Sequence, residues 1–118
     1  MARSVADPTL EQLAGLDASV QQKAIDLVNM ARAVGIPLIV TSGLRSREQQ
    51  AQLVRRGLSR TLASRHLSGR AFDVDLLGIN RDNVSTKVWQ WLGPHGESLG
   101  LTWGGRWKSF QDLGHFES

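Results

Sequence analysis

The chain has 118 residues, of which 41% are hydrophobic and 21% charged, and its formal net charge is +3. This length fits one domain, so we expect a single domain over residues 1–118. Without a run of about 18 apolar residues, the sequence excludes a membrane-spanning helix and stable membrane association. The absence of cysteine excludes disulfides and thiolate ligands, so any metal must be held by nitrogen and oxygen.

The amino-terminal segment and the arginines bear on location and partners. Met1–Pro8 lacks the apolar core of a secretory signal, so we expect a protein that is cytoplasmic when made. A basic chain suits an anionic partner, although a solvated basic surface explains the charge equally well. Several arginines cluster near the middle without any nucleic-acid-binding motif, so no nucleic-acid partner is predicted. They are Arg55, Arg56, Arg60, Arg65 and Arg70.

Two helices are predicted in the first third of the chain. Thr9 and Gln12 have the spacing of a capping box, which predicts a short helix that ends at Gly15. A longer helix follows from about Ala18 to Ala33, with Gly35 as its stop. Its apolar residues recur at helical spacing and predict a core face. They are Val20, Ala24, Leu27, Val28 and Ala31.

A buried strand and a third helix follow, and Arg45 lies between them. Pro37–Thr41 is short, apolar and β-branched, which predicts a strand. Ser46 and Gln49 form a second capping box, which predicts a helix through about Arg56. Short loops between rigid elements often display functional side chains, which makes Arg45 a candidate. The alternative interpretation is that Arg45 is a surface residue that pairs with any nearby acidic side chain.

The segment Arg70–Leu77 alternates between apolar and polar residues, after a loop over residues 58–65, and predicts a strand. One face carries Phe72, Val74 and Leu76, and the other carries Ala71, Asp73 and Asp75. Asp73 is the better ligand candidate because it is nearer to His66 and the Gly69 turn. Asp75 is interpreted as an outer or solvated carboxylate.

The sequence after residue 79 predicts one interrupted helix and two short strands. Asn80–Asn83 is polar and turn-like, and a helix should then be interrupted at Gly93–Pro94. Leu101–Trp103 and Gly114–Glu117 are predicted as strands. The apolar residues of the helix are Val84, Val88, Trp91 and Leu92.

Three side chains have the chemistry of a hydrolytic zinc site. His66 and Asp73 lie seven residues apart, and His115 near the end of the chain can supply a third ligand. Catalytic zinc takes three protein ligands and a water, whose pKa it lowers from 15.7 to about 7. Asp112, three residues before His115, is the first choice of general base.

Two further residues complete this predicted site, and each member has a simpler explanation. Arg45 would polarise the scissile carbonyl and stabilise its oxyanion, and Ser64 would contact substrate or orient a ligand. Histidines are often structural, however, and a HxxxxxxD spacing arises by chance. Asp112 could cap a turn, and Glu117 could be a surface charge or an alternative base.

Four ordered motifs also resemble the M15 family of zinc peptidases and together span about residues 10–117. They are SxHxxGxAxD at 64–73, a GxRS turn at 43–46, WGGxW at 103–107 and DxxHF at 112–116. In particular, they resemble the L-alanyl-D-glutamate endopeptidases found among phage endolysins and bacterial wall-lytic enzymes.

The resemblance implies a small α+β domain of the Hedgehog/DD-peptidase type, with helices on an antiparallel sheet and Zn²⁺ in a cleft on that sheet. By the family's pattern the ligands fall on His66, Asp73 and His115. The catalytic carboxylate falls on Asp112 and the substrate-polarising arginine on Arg45.

The aromatic motif departs from the family's pattern. Arg106 stands where relatives commonly have an acid, which leaves substrate contacts near Trp103 and Trp107 open. Trp103 is a candidate for contact with substrate. The alternative interpretation is that this tryptophan belongs to the core or to the wall of the cleft.

The predicted function is zinc-dependent hydrolysis of a peptidoglycan stem-peptide amide, between L-Ala and D-Glu. The enzyme would be a monomeric phage-type endolysin without a separate wall-binding domain, and it would reach the wall of an infected bacterium after release. Two alternatives stay open. One is a D,D- or L,D-carboxypeptidase with the same metal ligands, and the other is a non-catalytic, zinc-stabilised module that binds the wall through its arginines.

Overall fold

The computed structural model describes residues 7–59, 61, 63–79 and 83–118. Met1–Ala6, Arg60 and most of the predicted Asn80–Asn83 turn lie outside the described residues. The helices are α1 (Thr9–Ala14), α2 (Ala18–Ala33), α3 (Arg47–Arg55) and α4 (Thr86–Ser98). The strands are β1 (Leu38–Ser42), β2 (Ala71–Leu76), β3 (Thr102–Trp103) and β4 (His115–Glu117). Within the described ranges, every helix is too short or too polar to cross a bilayer.

The four strands form one antiparallel sheet in the order β1-β2-β4-β3, which confirms the predicted α+β class. On β2 and β4, Phe72 lies opposite Phe116 and Asp73 lies opposite His115. Side chains alternate between the two faces of a sheet, so the phenylalanines point to one side and Asp73 and His115 to the other. One face therefore builds the core, and the opposite face carries the polar groups.

The core lies between the sheet and helices α2 and α4. The Phe72 and Phe116 rings stack with their centroids 5.7 Å apart, and the apolar face of α2 is buried as the spacing predicts. The buried residues of α2, α4 and the sheet form one cluster. The sheet is thus held rigid from the side opposite its polar face.

Helix α1 begins differently from the prediction, because Thr9 and Gln12 do not form a capping box. Thr9 is the first helical residue, and its hydroxyl accepts a hydrogen bond from the Val40 N–H at 2.9 Å. The Gln12 side-chain oxygen accepts from the Gly43 N–H, also at 2.9 Å. Strand β1 is an edge strand, so its outer N–H groups need partners, and these two side chains supply them.

The predicted interruption of the fourth helix at Gly93–Pro94 is wrong, since α4 runs through both residues. Proline removes one helical hydrogen bond, but here the helix is held from the side by close packing. A Cβ atom at Gly93 would lie 2.3 Å from the Trp103 ring, and one at Gly96 would lie 2.4 Å from the Phe116 ring. The glycines therefore serve the approach of two aromatic rings.

We expect Gly93→Ala to destabilise the fold by up to about 2 kcal/mol. Overpacking costs about 1–3 kcal/mol, and the better helix propensity of alanine returns about 1 kcal/mol. Urea unfolding measures the change, with Gln90→Ala on the exposed side of α4 as the matched control. A stability equal to wild type would mean that Trp103 moves aside at little cost.

Candidate active site

The structure brings together the three side chains that the sequence predicts as metal ligands. Asp73 and His115 are direct neighbours on the polar face of β2 and β4. His66 lies in the 3₁₀ turn Arg65–Ser68, and Gly69 closes this turn in a left-handed conformation before β2 begins. One ligand atom from each of His66, Asp73 and His115 lies within 4.8 Å of the others. Such a group is compact enough to share one ion.

The His66 ring has one satisfied nitrogen and one buried nitrogen left over. Its Nδ1 is 2.7 Å from the Gly43 carbonyl, which can only accept, so Nδ1 carries the proton. Its Nε2 is buried and has no hydrogen-bond partner among the described residues, although Asp73 Oδ2 lies 3.3 Å away. A buried unpaired acceptor costs about 1–3 kcal/mol. A cation at this point would remove that cost.

His115 lies between two carboxylates. Its Nδ1 is 2.9 Å from Asp73 Oδ1, and its Nε2 is 2.8 Å from Glu117 Oε1. Burial lowers the pKa of His115, but the hydrogen bond and charge of Asp73 outweigh it, aided by Glu117 and the charge of Asp112, so the pKa is raised above 6.5. In the metal-free protein, His115 is therefore stabilised in its protonated form.

Asp73 is the anionic centre of the group. Burial raises the pKa of its carboxyl, yet the hydrogen bond and charge of His115, with the His66 ring 3.3 Å away, hold that pKa far below its ordinary value. Arg45 adds a further contact, from Nη2 to Asp73 Oδ2 at 3.2 Å. Asp73 is consequently ionised at neutral pH and available as an oxygen ligand.

This donor set fits zinc. Two imidazole nitrogens and one carboxylate oxygen are a known arrangement for catalytic zinc, which leaves a position for water. The unpaired Nε2 of His66 is the observation that favours an ion, since nothing else among the described residues satisfies that nitrogen. The same three side chains would hold the ion.

Zinc affinity should rise with pH, because His115 must lose a proton before it can act as a ligand. Because the pKa of His115 is raised above 6.5, this gain continues past pH 6.5 and levels off only where the ring is already neutral without metal. Calorimetric titration of metal-free protein with zinc at several pH values, in two buffers of different ionisation heat, measures both the affinity and the released proton. Equal affinity across this range without proton release would contradict the protonated form of His115.

A cleft of about 720 Å³ opens above the three residues. Two groups of residues, distant in the sequence, line it. One is Ser59, Thr61, Ala63, Ser64 and Arg65, and the other is Trp107, Ser109, Phe110 and Asp112. Leu58 and Phe110 are 59% and 45% exposed at its rim, which gives the entrance an apolar border. The site is thus open to an extended ligand.

Arg45 points into this cleft and is fixed by several partners. The Ser46–Gln49 capping box is present as predicted and sets the start of α3 directly after Arg45. Arg45 donates to Ser42 Oγ at 3.0 Å and to Gln50 Oε1 at 2.8 Å. Its guanidinium group is held in place rather than free to follow the solvent.

Gln50 is a site residue that the sequence interpretation missed. It is fully buried on α3, and its amide donates to Ser59 Oγ at 2.9 Å and to the Thr61 carbonyl at 2.6 Å. It therefore joins Arg45 to the cleft wall. One signal could have revealed it, since Gln50 lies three residues before Leu53 and so shares a helix face with an apolar residue.

Asp112 and Ser64 both line the cleft, as expected for site residues. The Asp112 carboxylate accepts from the Gly114 N–H at 3.3 Å, and its charge reaches His115. Ser64 Oγ accepts from the His66 N–H at 3.2 Å, which fixes the start of the 3₁₀ turn. Asp75 lies farther along β2, opposite Ile39, and does not line the cleft.

The structure places Trp103 in the core and not in the cleft. Trp103 is 5% exposed, its Nε1 donates to the Leu113 carbonyl at 2.8 Å, and it packs on Gly93. Trp107 lines the cleft instead, with its ring centroid 5.0 Å from that of His115. In the WGGxW motif the second tryptophan is therefore the one that a substrate can reach.

Arg106, the departure from the family's pattern, points away from the metal group. Its guanidinium makes two hydrogen bonds with Glu97, at 3.1 and 2.9 Å, and lies 5.1 Å from the centre of the Trp103 ring. Arg106 thus links the loop after β3 to helix α4. This position leaves the arrangement of His66, Asp73 and His115 unaffected.

Comparisons with known proteins bear on the family of this chain. Residues 57–118 match a peptidase M15 family model described as D-alanyl-D-alanine carboxypeptidase. The L-alanyl-D-glutamate peptidase of Listeria phage A118 is 32% identical over an alignment of 98 residues, and the match covers 77% of this chain and 34% of that protein. The chain thus spans about a third of the length of this relative.

Solved structures show the same fold. The L-Ala D-Glu endopeptidase ChiX of Serratia marcescens is 29% identical, with a TM-score of 0.67 over 98% of this chain and 89% of that one. The D,D-pentapeptidase VanY, solved with Zn(II), is 22% identical, with a TM-score of 0.62 over 86% and 71% of the two chains. This second likeness supports the fold alone. The family model covers more than half of the sequence, and the chain therefore belongs to the peptidase M15 family.

Proposed function

We propose that this protein is a zinc-dependent peptidoglycan endopeptidase that hydrolyses the stem-peptide amide between L-Ala and D-Glu. The observation that carries the proposal is the convergence of His66, Asp73 and His115 at the floor of a cleft lined by Arg45 and Asp112. The names of the Listeria phage and Serratia relatives support this bond and the wall as substrate. The phage relative also supports a role as an endolysin that reaches the wall after release.

The metal and the protein divide the chemistry between them. His66, Asp73 and His115 would hold zinc, which would supply Lewis-acid polarisation of the scissile carbonyl and lower the pKa of a water molecule to about 7. The protein must then accept the proton of the attacking water, stabilise the developing negative charge and protonate the leaving amine.

Asp112 is proposed to move the proton. It lies in the loop before β4, lines the cleft, and is close enough for its charge to act on His115. The carboxylate accepts a proton as the water attacks and returns it to the amine nitrogen as the amide C–N bond breaks. Only one ionisable group is needed for both steps.

Arg45 is proposed to stabilise the oxyanion. Its hydrogen bonds to Ser42, Gln50 and Asp73 use three of the five guanidinium N–H groups, which leaves two for substrate among the contacts of the described residues. A fixed cation is more effective than a mobile one because it needs no reorganisation as charge develops. Trp107 takes the place of Trp103 as the proposed aromatic wall for substrate, and Ser64 supports the opposite wall.

Mass spectrometry of muropeptides after digestion tests the proposal. Cleavage at L-Ala–D-Glu would release the stem from D-Glu onward and leave L-Ala on the sugar, and a chelator should abolish this reaction. The family model's description makes a D-Ala-releasing carboxypeptidase the second candidate, and loss of a terminal D-Ala would identify it. Wall binding without any product, with or without chelator, would indicate a binding module.

A further inference from the structure

Two ionic contacts lie next to the three predicted metal ligands. One joins His115 to Glu117, and the other joins Glu117 to Arg65. Glu117 lies two residues after His115, on the same face of the strand. Its Oε1 is 2.8 Å from His115 Nε2, and its Oε2 forms an ion pair with Arg65 Nε at 2.8 Å. The two carboxylate oxygens therefore serve two different partners, and neither faces Asp73.

This contact determines which nitrogen of His115 can bind a metal. A histidine can use either ring nitrogen, and the choice is set by the hydrogen bond that the other nitrogen makes. A carboxylate can only accept, so Glu117 requires a proton on Nε2. In the metal-free protein Asp73 Oδ1, 2.9 Å from Nδ1, holds a proton there as well. When Asp73 turns to a metal, Glu117 still holds the Nε2 proton, so Nδ1 is the nitrogen that becomes free to bind.

Arg65 connects this contact to another ligand. It belongs to the same 3₁₀ turn as His66, so the ion pair with Glu117 joins the two segments that carry the histidines. The Arg65 and Glu117 side chains are 49% and 20% exposed, and a half-exposed ion pair contributes little stability by itself. Its effect is to hold the Glu117 carboxylate in one orientation.

We propose that Glu117, oriented by Arg65, is a positioning residue that fixes His115 with Nδ1 directed at the metal. This inference rests on the proposed zinc-peptidase function. Glu117 also lines the cleft, but both of its carboxylate oxygens are already engaged, one by His115 Nε2 and one by Arg65. Glu117 therefore acts through His115 and is not the general base.

Zinc affinity, measured by chelator competition at one pH, tests this role without reference to catalysis. Glu117→Ala should bind zinc about 10–100-fold more weakly than wild type, the usual cost of removing an outer partner. Glu117→Gln should recover much of the affinity, because its amide oxygen can accept the same bond. Arg65→Gln should fall between wild type and Glu117→Ala.

Glu97→Ala is the matched control, since it breaks a carboxylate–arginine pair outside the cleft and should leave zinc affinity unchanged. The absorption spectrum of the Co²⁺-substituted protein gives a second readout, which should shift in Glu117→Ala and return toward wild type in Glu117→Gln. If Glu117→Ala fails to fold, the Glu117→Gln and Arg65→Gln proteins carry the same comparison.

The outcomes separate this inference from the proposed function. Equal zinc affinity in Glu117→Ala and wild type would overturn the positioning role and leave the peptidase proposal intact. Full zinc affinity together with lost hydrolysis in Glu117→Ala would also overturn it, because Glu117 would then act in catalysis. A wild-type protein that binds no zinc would refute the proposed function itself.

Discussion

Replacing Asp112 with Asn should slow stem-peptide hydrolysis by about 10²–10⁴-fold while zinc affinity stays close to that of wild type. Asparagine keeps the size of the side chain and an oxygen for the Gly114 N–H, but it cannot accept a proton from water at neutral pH. The expected loss is therefore one of rate and not of fold or metal. Rates of muropeptide release, with zinc content measured on the same samples, check both parts.

The matched control for this variant is Asp17→Asn, an exposed aspartate that does not line the cleft. It removes the same charge and should retain full activity. If Asp112→Asn hydrolyses muropeptides at the wild-type rate with zinc bound, Asp112 is not the base. Loss of zinc in Asp112→Asn would instead assign Asp112 a part in holding the metal group.

The sequence predicted those parts of the site that depend on local pattern. The alternation of residues 70–77 put Asp73 on the polar face of β2, and the Ser46–Gln49 capping box placed Arg45 in the turn before α3. Both patterns act over a few residues, so they can be recognised without knowing the fold. The pairing of Asp73 with His115 needed more, because 42 residues separate them. For that step the prediction depended on chemistry and on the family's motifs.

Contacts between distant segments account for what the sequence did not predict. Thr9 and Gln12 have the spacing of a capping box, but the edge of β1 competes for the same side chains and takes them. Gly93–Pro94 would end an isolated helix, but packing against Trp103 keeps α4 continuous. In each case a tertiary contact outweighs a local preference of about 1–3 kcal/mol.

The choice between the two tryptophans shows the same limit. Trp103 and Trp107 lie in one motif, and nothing in its spacing says which is buried. The Trp103 ring packs against two glycines, Gly93 on α4 and Gly105, where a Cβ atom would lie 2.3 and 2.2 Å from it. Trp107 packs beside His115 instead. Burial of Trp103 thus depends in part on a residue ten positions away, which the spacing of the motif does not include.

Replacing Asp73 with Asn should have two separate effects, one on zinc binding and one on the metal-free fold. Loss of a ligand charge should weaken zinc binding by more than the about 10–100-fold expected for an outer partner. In the metal-free protein, Arg45 and protonated His115 lose the carboxylate that they share. Charged hydrogen bonds contribute about 1.5–3 kcal/mol, so the variant should be less stable by about that amount near neutral pH.

The pH dependence identifies the source of this second effect. The pKa of Asp73 is lowered in the folded state, so its stabilisation is present above the ordinary value of 3.8 and is lost as pH falls toward the folded pKa. The stability difference between wild type and Asp73→Asn, both metal-free, should therefore be full near pH 6 and shrink below about pH 4.

Urea unfolding of the metal-free proteins across this range measures the difference, with Asp26→Asn on α2 as the control that keeps its bond from Gln22. A difference that stays constant down to low pH would mean that packing, and not the Asp73 charge, holds the group together. The fold itself would then set the positions of the three side chains that bind zinc. Electrostatic attraction among these side chains would contribute little to their arrangement in the metal-free protein.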